Sequence, residues 1–333
     1  MNILAIETSC DETAAAVVSN GRTVRSSIVS SQIDIHAATG GVVPEVAARL
    51  QTETIQPVVA EALEAAGINW PKVDAIAVTQ GPGLIGSLLV GVETAKALAY
   101  AKELPLIPVN HLAGHLYACL AGERTFRFPY VGLVVSGGHT ELVLMTGHHE
   151  FALLGSTRDD AAGEAFDKVG KLLGLPYPAG PPLSAIAEEG DSRAIDFPIA
   201  MSAQDTLDFS FSGLKTAVRR ELESGRPTKK RRADIAASFE RAVVEALVVK
   251  TTAAVRRLKP SALLLGGGVA ANKRLRKELT ERTSEKLLAT PPEYATDNAA
   301  MIGMAAYWSR EQAITGKARL AVSADPSLAL ADG

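Results

Sequence analysis

Cysteine, histidine and surplus positive charge are all scarce in this chain. Two cysteines, Cys10 and Cys119, in 333 residues cannot build a disulfide framework, which fits a reducing, cytoplasmic setting. A formal net charge of −3 excludes a dedicated, broadly basic nucleic-acid binder but leaves room for a local basic patch. No apolar run reaches the roughly 18–20 residues of a membrane span, so no membrane association is expected. The opening residues, MNILAIETSCDE, read as a strand followed by acids, without the basic region or cleavage site of a secretory signal. What the chain does have is core. Apolar residues make up 47% and charged residues 21%, the profile of a compact folded protein, and the length favours two lobes over one.

Short apolar runs ended by Gly, Ser, Thr or Asn read as strands: NILAIE, DAIAVT, LIPVN, YVGLVVS, ELVLMT and SALLLGG. Helical patterns lie between them, one after Pro44, one over Ile85 to Lys102, and the longest from Ala233 to Leu258. The alternation predicts an α/β protein with largely buried sheets. The longest helix reads as core.

Two hairpins recur within that order. NILAIETSCDETAAAVV and YVGLVVSGGHTELVLM are each strand, small polar turn, strand. Such turns suit ordinary hairpins, or else a nest of backbone N–H groups for anionic oxygens at Ser136, Gly137 and Gly138. A third glycine cluster, Gly266-Gly267-Gly268, joins a buried strand to a helix starting near Asn272, where a helix N-terminus favours anionic ligand atoms. It matches neither a P-loop nor GxGxxG. Strand, hairpin tip and a later triple glycine are the pattern of the actin, sugar-kinase and Hsp70 superfamily, in which two duplicated lobes surround a nucleotide cleft. Fold alone does not assign function.

The stretch VNHLAGHLYACL spends two of only six histidines four residues apart. On a helix His111 and His115 share one face. Alone they read as packing or as a partial metal site, because two nitrogens are too few ligands for tight binding. The segment YATDNAAMIG offers Asp297 as the N-cap of the final helix. Two imidazoles and a carboxylate suit Fe(II) or Zn(II), without choosing between them. Other residues have plainer readings. His36 is expected on an exposed loop, His139 to matter through its backbone, and His148 and His149 to be solvated. Cys10 reads as packing, with reactivity as the alternative. The run GRPTKKRR, ending in Lys229, Lys230, Arg231 and Arg232, with Arg219 and Arg220 upstream, is either a solvated charge run or a phosphate contact.

Nine stretches then align with one family. ETSCDET at Glu7–Thr13, GGVVPEVAAR at Gly40–Arg49, GPGLIGSLLVG at Gly81–Gly91 and NHLAGH at Asn110–His115 are four of them. VSGGHT around Ser136, FDKVGKLLGLPYPAGP at Phe166–Pro181, FSFSGLKTA, GGGVAAN and ATDNAAMIG complete the set, in order, from Ile3 to about Tyr307. The chain resembles the catalytic subunits of bacterial tRNA threonylcarbamoyladenosine synthases, a family once labelled O-sialoglycoprotein endopeptidases.

That resemblance implies an acyltransferase. It would move a threonylcarbamoyl group from threonylcarbamoyl-AMP to the N6 amine of the adenosine beside the anticodon, in tRNAs reading A-starting codons. It implies a first lobe over 1–125, with 297–325 returning to pack on it, and a second over 126–296 carrying a helical insertion around 157–232. It lays the adenylate along Val134, Val135, Ser136, Gly137 and Gly138, with Asp167, Gly180 and Asn272 completing the site. Ser184 stands where the family often has an acid, and Val134 where archaeal relatives place a tyrosine. The resemblance assigns Asp297 as the third ligand, so that His111, His115 and Asp297 hold one divalent ion, Fe(II) with Zn(II) as the alternative, between the lobes. The implied partners are tRNA, a degenerate paralogous subunit and a small ATPase subunit.

The chemistry is consistent with that assignment. Attack by a weak aromatic amine builds charge on the acyl oxygen, which a cation or fixed N–H donors stabilise in the transition state. Asp11 and Glu12 at the first hairpin tip are candidates to receive the amine proton or orient the amine, with a solvated turn as the plain alternative. A zincin protease needs His-Glu-x-x-His, and Leu112 occupies the glutamate position. A small-molecule kinase of the same superfamily gives no reason for the histidine pair. A catalytically silent scaffold would have no need to keep HLAGH and TDNA together.

Overall fold

The computed structural model describes residues 1–201, 204–223 and 227–330. Among these, the chain forms two compact units. The first comprises Met1–Phe126, Gly147–Phe151 and Thr290–Gly333; the second comprises Arg127–Thr146 and Ala152–Ala289.

In the first unit the strands are β1 (Asn2–Glu7), β2 (Glu12–Ser19), β3 (Thr23–Ser31), β4 (Ala75–Gly81) and β5 (Leu106–Asn110). Their sheet order is β3-β2-β1-β4-β5. The first three strands pair antiparallel, while β1, β4 and β5 run parallel. Helices α1 (Ile33–Thr39), α2 (Pro44–Ala65), α3 (Ile85–Ala101), α4 (His111–Cys119) and α10 (Ala299–Trp308) belong to this unit. Nearly every residue of β1 and β2 is buried, as expected of strands covered on both faces.

The second unit repeats the plan. Its strands are β6 (Tyr130–Val135), β7 (Thr140–Gly147), β8 (Glu150–Ser156), β9 (Ala262–Gly266) and β10 (Lys286–Ala289), in the order β10-β9-β6-β7-β8. Again a hairpin precedes a parallel pair, with β6 antiparallel to β7 and parallel to β9. The tip of the β7–β8 hairpin counts with the first unit. Helices α5 (Ala162–Leu172), α6 (Gly180–Ala187), α7 (Ser212–Leu222), α8 (Lys229–Leu258) and α9 (Lys273–Arg282) complete the second. Its core gathers Leu133, Phe166, Phe211, Phe239 and Leu265 around α8.

Three strands escape the apolar-run reading: β3, β8 and β10. All three lie at sheet edges and are largely exposed or half-buried, so burial never required them to be apolar. The longest helix begins at Lys229 rather than Ala233, capped by Thr228, whose hydroxyl accepts from Arg231 N–H at 3.2 Å. Among the described residues, no helix is long and apolar enough to cross a membrane.

Candidate functional site

His111 is the first residue of α4, which follows β5 directly. Asn110 caps the helix, its side chain accepting from Leu112 N–H at 2.9 Å and Ala113 N–H at 3.3 Å. This cap turns a buried strand into a helix with no loop between, and His111 and His115 then share a face. Helix α10 packs against α4 and seats Gly303 against β1 and β2. A Cβ at Gly303 would meet Val18 Cγ2 at 2.6 Å. The residue just before that helix pair's contact is Asp297. Its Oδ1 lies 3.3 Å from His115 Nε2 and 3.6 Å from His111 Nε2.

Asp297 is not the N-cap expected of it. Asn298 takes that role, accepting from Met301 N–H at 3.0 Å and donating to Thr296 O at 2.7 Å. The Asp297 carboxylate therefore turns to the histidines instead of the helix. The three donor atoms lie within 4.8 Å of one another. Both ring nitrogens of fully buried His115 lack a hydrogen-bond partner among the described residues, and at 3.3 Å the Asp297 contact is close without hydrogen-bond alignment. Orphaned buried nitrogens are costly, and a metal ion is the group that would satisfy this one. The set of two imidazoles and a carboxylate fits a divalent ion with open coordination positions.

Glu7, which the sequence reading left without a role, holds the set in place. Fully buried, it accepts from Ser9 N–H at 2.5 Å and Thr79 Oγ1 at 2.6 Å, and faces His111 Nδ1 at 3.0 Å. With the proton on Nδ1, the Nε2 lone pair of His111 points to Asp297. Burial opposes charge on His111, but Asp297 and Glu7 override it and raise its pKa to about 9.

The tip of the first hairpin lies in the same unit. Gln51, buried on α2, donates to the carbonyls of Cys10 and Glu12, both at 3.0 Å, and braces the turn. Asp11 is buried. Burial, then the carboxylates of Asp297 and Asp11, push Glu12 up to about 9. The raised value favours the protonated form of Glu12, whose Oε1 accepts from Ser31 Oγ at 3.2 Å. Burial pushes the Cys10 thiol far above its ordinary range, so the packing reading holds and a reactive thiolate does not.

The second unit brings together the remaining expected residues. Val134 and Val135 end β6, and Ser136, Gly137 and Gly138 form the turn, closed by Ser136 N–H to His139 O at 2.8 Å and His139 N–H to Ser136 Oγ at 3.1 Å. Ser136 O accepts from Gly163 N–H at 3.1 Å, anchoring α5 to the turn. From α5, Asp167 accepts from Ala179 N–H at 2.7 Å, just before Gly180 opens α6. Ser184, one turn along α6, donates to Glu240 at 2.6 Å and accepts from Asn272 at 3.1 Å. Asn272 caps α9, accepting from Leu275 N–H at 2.8 Å. Gly267, at φ +89, brings that segment back to β6, where a Cβ would strike Val135 O at 2.4 Å. The turn, α5, α6 and the start of α9 are thus linked in a ring.

Residues 23–304 match the family described as tRNA N6-adenosine threonylcarbamoyltransferase. The chain belongs to this family. It is 56% identical over 312 residues to the threonylcarbamoyltransferase of Moorella thermoacetica, covering 92% of this chain and 91% of the relative. It is 50% identical over 336 residues to that of Clostridium perfringens, covering 99% and 98%. Two solved structures share the fold at low identity. They are HypF of T. kodakarensis (TM-score 0.64, 16% identity, 93% of this chain and 48% of that one) and Acidaminococcus fermentans (R)-2-hydroxyglutaryl-CoA dehydratase component A (TM-score 0.56, 14%, 93% and 99%). The two repeated mixed sheets are those of the actin, sugar-kinase and Hsp70 type.

Several single residues of this threonylcarbamoyltransferase-family chain differ from expectation. His36 is buried rather than exposed, because α1 forms where a loop was expected. Its Nε2 meets Gln32 Oε1 at 3.1 Å and its Nδ1 accepts from Val43 N–H at 3.3 Å. His148 and His149 are packed rather than solvated. His148 stacks on Trp308 at 4.0 Å, and His149 Nε2 contacts Ala305 O at 3.0 Å. Burial first, then nearby cations, lowers His148 to about 4. Lys229, Lys230, Arg231 and Arg232 form the first turn of α8. Lys229 pairs with Glu189 at 3.1 Å, Lys230 with Asp234 at 2.8 Å, and Arg231 with Glu221. Gly225 and Arg226, at the head of that run, lie outside the described residues.

Proposed function

We propose that this chain transfers the threonylcarbamoyl group of threonylcarbamoyl-AMP to the N6 amine of the adenosine beside the anticodon, in tRNAs reading A-starting codons. The family match over most of the chain supports the reaction, and the convergence of His111, His115 and Asp297 is the observation that carries its metal dependence. The proposed ion is one Fe(II), with Zn(II) as the alternative. When bound, it supplies Lewis-acid polarisation of the acyl carbonyl.

The chain's own residues do the rest. Glu7 fixes the His111 tautomer. The turn Ser136–Gly138 holds the phosphate of the leaving adenylate through the backbone N–H groups of Gly137 and Gly138, while Ser136 N–H closes the turn onto His139 O. Asp11 orients the attacking amine and takes its proton, with Glu12 donating while it remains protonated. Asp167, Gly180 and Asn272 complete the adenylate site. The setting is cytoplasmic, and the working assembly includes tRNA, a degenerate paralogous subunit and a small ATPase.

The test is reconstitution. The protein is incubated with threonine, bicarbonate, ATP, tRNA, the adenylate-forming enzyme and the two partner subunits, and the tRNA is digested to nucleosides. Threonylcarbamoyladenosine is expected only when this chain is present. Equal amounts without it would overturn the proposal.

A further inference from the structure

Glu240 lies in the middle of α8, among Phe239, Ala242, Val243 and Val244, and is 7% exposed. A carboxylate in such a place is costly unless partnered. Among the described residues it has no ion pair. Its Oε1 accepts from Ser184 Oγ at 2.6 Å and from Asn272 Nδ2 at 2.7 Å. Its Oε2 has no hydrogen-bond partner among the described residues and is not one of the polar atoms sealed from solvent. One oxygen is anchored and the other is presented.

The anchors say where it is presented. Ser184 lies one helical turn past Gly180 on the same face of α6, and Asn272 is the cap of α9. Both amide hydrogens of Asn272 are engaged, at 2.7 Å by Glu240 and at 3.1 Å by Ser184, while its Oδ1 takes Leu275 N–H. Of the Ser184, Asn272 and Glu240 side-chain atoms, the one left to meet a ligand is Glu240 Oε2. A carboxylate oxygen repels phosphate and accepts from hydroxyls. In an adenylate the hydroxyl-bearing group joined to the phosphate is the ribose.

We propose that Glu240 binds the nucleotide directly, its Oε2 accepting a hydrogen bond from a ribose hydroxyl. The inference rests on the assignment of the Ser136–Gly138, Asp167, Gly180 and Asn272 set as the adenylate site. Its consequence is that α8 supplies an acid to the ribose, and Ser184 serves to hold that acid.

Calorimetric titration of the full chain with AMP, 2′-deoxy-AMP and 3′-deoxy-AMP tests it. Loss of the contacted hydroxyl should weaken binding to the wild-type protein by about 10-fold or more, the range for a hydrogen bond to a charged group. Glu240→Gln keeps a carbonyl oxygen for Ser184 and Asn272 and replaces only the presented oxygen. It should bind AMP weaker by a similar factor and lose most of the discrimination against the deoxynucleotide. Wild-type protein that binds all three nucleotides equally overturns the inference without recourse to any variant. So does a Glu240→Gln protein with unchanged AMP affinity and discrimination. Failure of wild-type protein to bind AMP at all would overturn the adenylate assignment, and the inference with it.

Discussion

At the scale of single residues, the candidate metal centre depends on a proton. His111 must present a neutral Nε2, yet Asp297 and Glu7 raise its pKa to about 9, so a metal ion must displace a proton at neutral pH. Below about pH 9 the neutral fraction of His111 falls about tenfold per unit. Apparent metal affinity should therefore fall about tenfold per pH unit as pH drops from 9 towards 7 and level off above 9. Competition with a chelator of known pH dependence measures this, and a flat profile over that range would contradict the role of His111. Glu7→Gln leaves the ligands in place but removes the carboxylate that fixes the tautomer. Metal affinity should drop about 10–100-fold; an unchanged value would make Glu7 a packing residue. The histidine pair was legible in the sequence because helical spacing announces a shared face. Glu7 was not, since a strand-ending acid reads as solvated until the fold buries it. Glu240 was hidden in a similar way, as one of three acids along α8, with Asp234 and Glu245, beside Arg241, so that nothing in the sequence marks it as the one held by Ser184 and Asn272.

At the scale of elements, caps and close helix contacts set the geometry. Asn110 starts α4 without a loop and Asn298 starts α10, so His111 and Asp297 are held at helix starts and His115 one turn into α4, on elements more rigid than loops. The sequence showed both helices but misassigned the second cap, because Asp and Asn in succession are equally good candidates. Helices and buried strands were otherwise readable from apolar pattern, whereas β3, β8 and β10 were lost because edge strands carry little of it. The first turn of α8 bears on tRNA contact. With Lys229, Lys230 and Arg231 facing Glu189, Asp234 and Glu221, the run is largely compensated. Replacing all four basic residues by Gln should change the slope of log affinity for tRNA against log salt by less than about 1. A decrease of about 3–4 would instead put the run on phosphates.

At the scale of the whole molecule, the same strand order occurs twice, and each copy opens with a hairpin whose tip is small and polar. In the first unit the tip holds Asp11 and Glu12 and the strand before it ends in Glu7; in the second the tip is the Ser136–Gly138 turn. That duplication was visible as two polar-tipped hairpins, although neither tip's chemistry could be read from hairpin shape. A Cβ at Gly137 would meet nothing within 4 Å, so Gly137→Val should leave the thermal midpoint within a few degrees while abolishing AMP binding. Retained AMP binding would move the phosphate elsewhere. The central claim is that one metal ion at His111, His115 and Asp297 serves acyl transfer, and paired assays on purified protein test it most directly. Metal content and transfer from preformed threonylcarbamoyl-AMP to tRNA, in the presence of the partner subunits, are measured for the wild-type protein and for His111→Ala and Asp297→Ala. The account predicts about one metal ion per wild-type chain, with metal and transfer lost together in both folded variants. Variants that keep one ion per chain, or that modify tRNA at the wild-type rate without it, would contradict it.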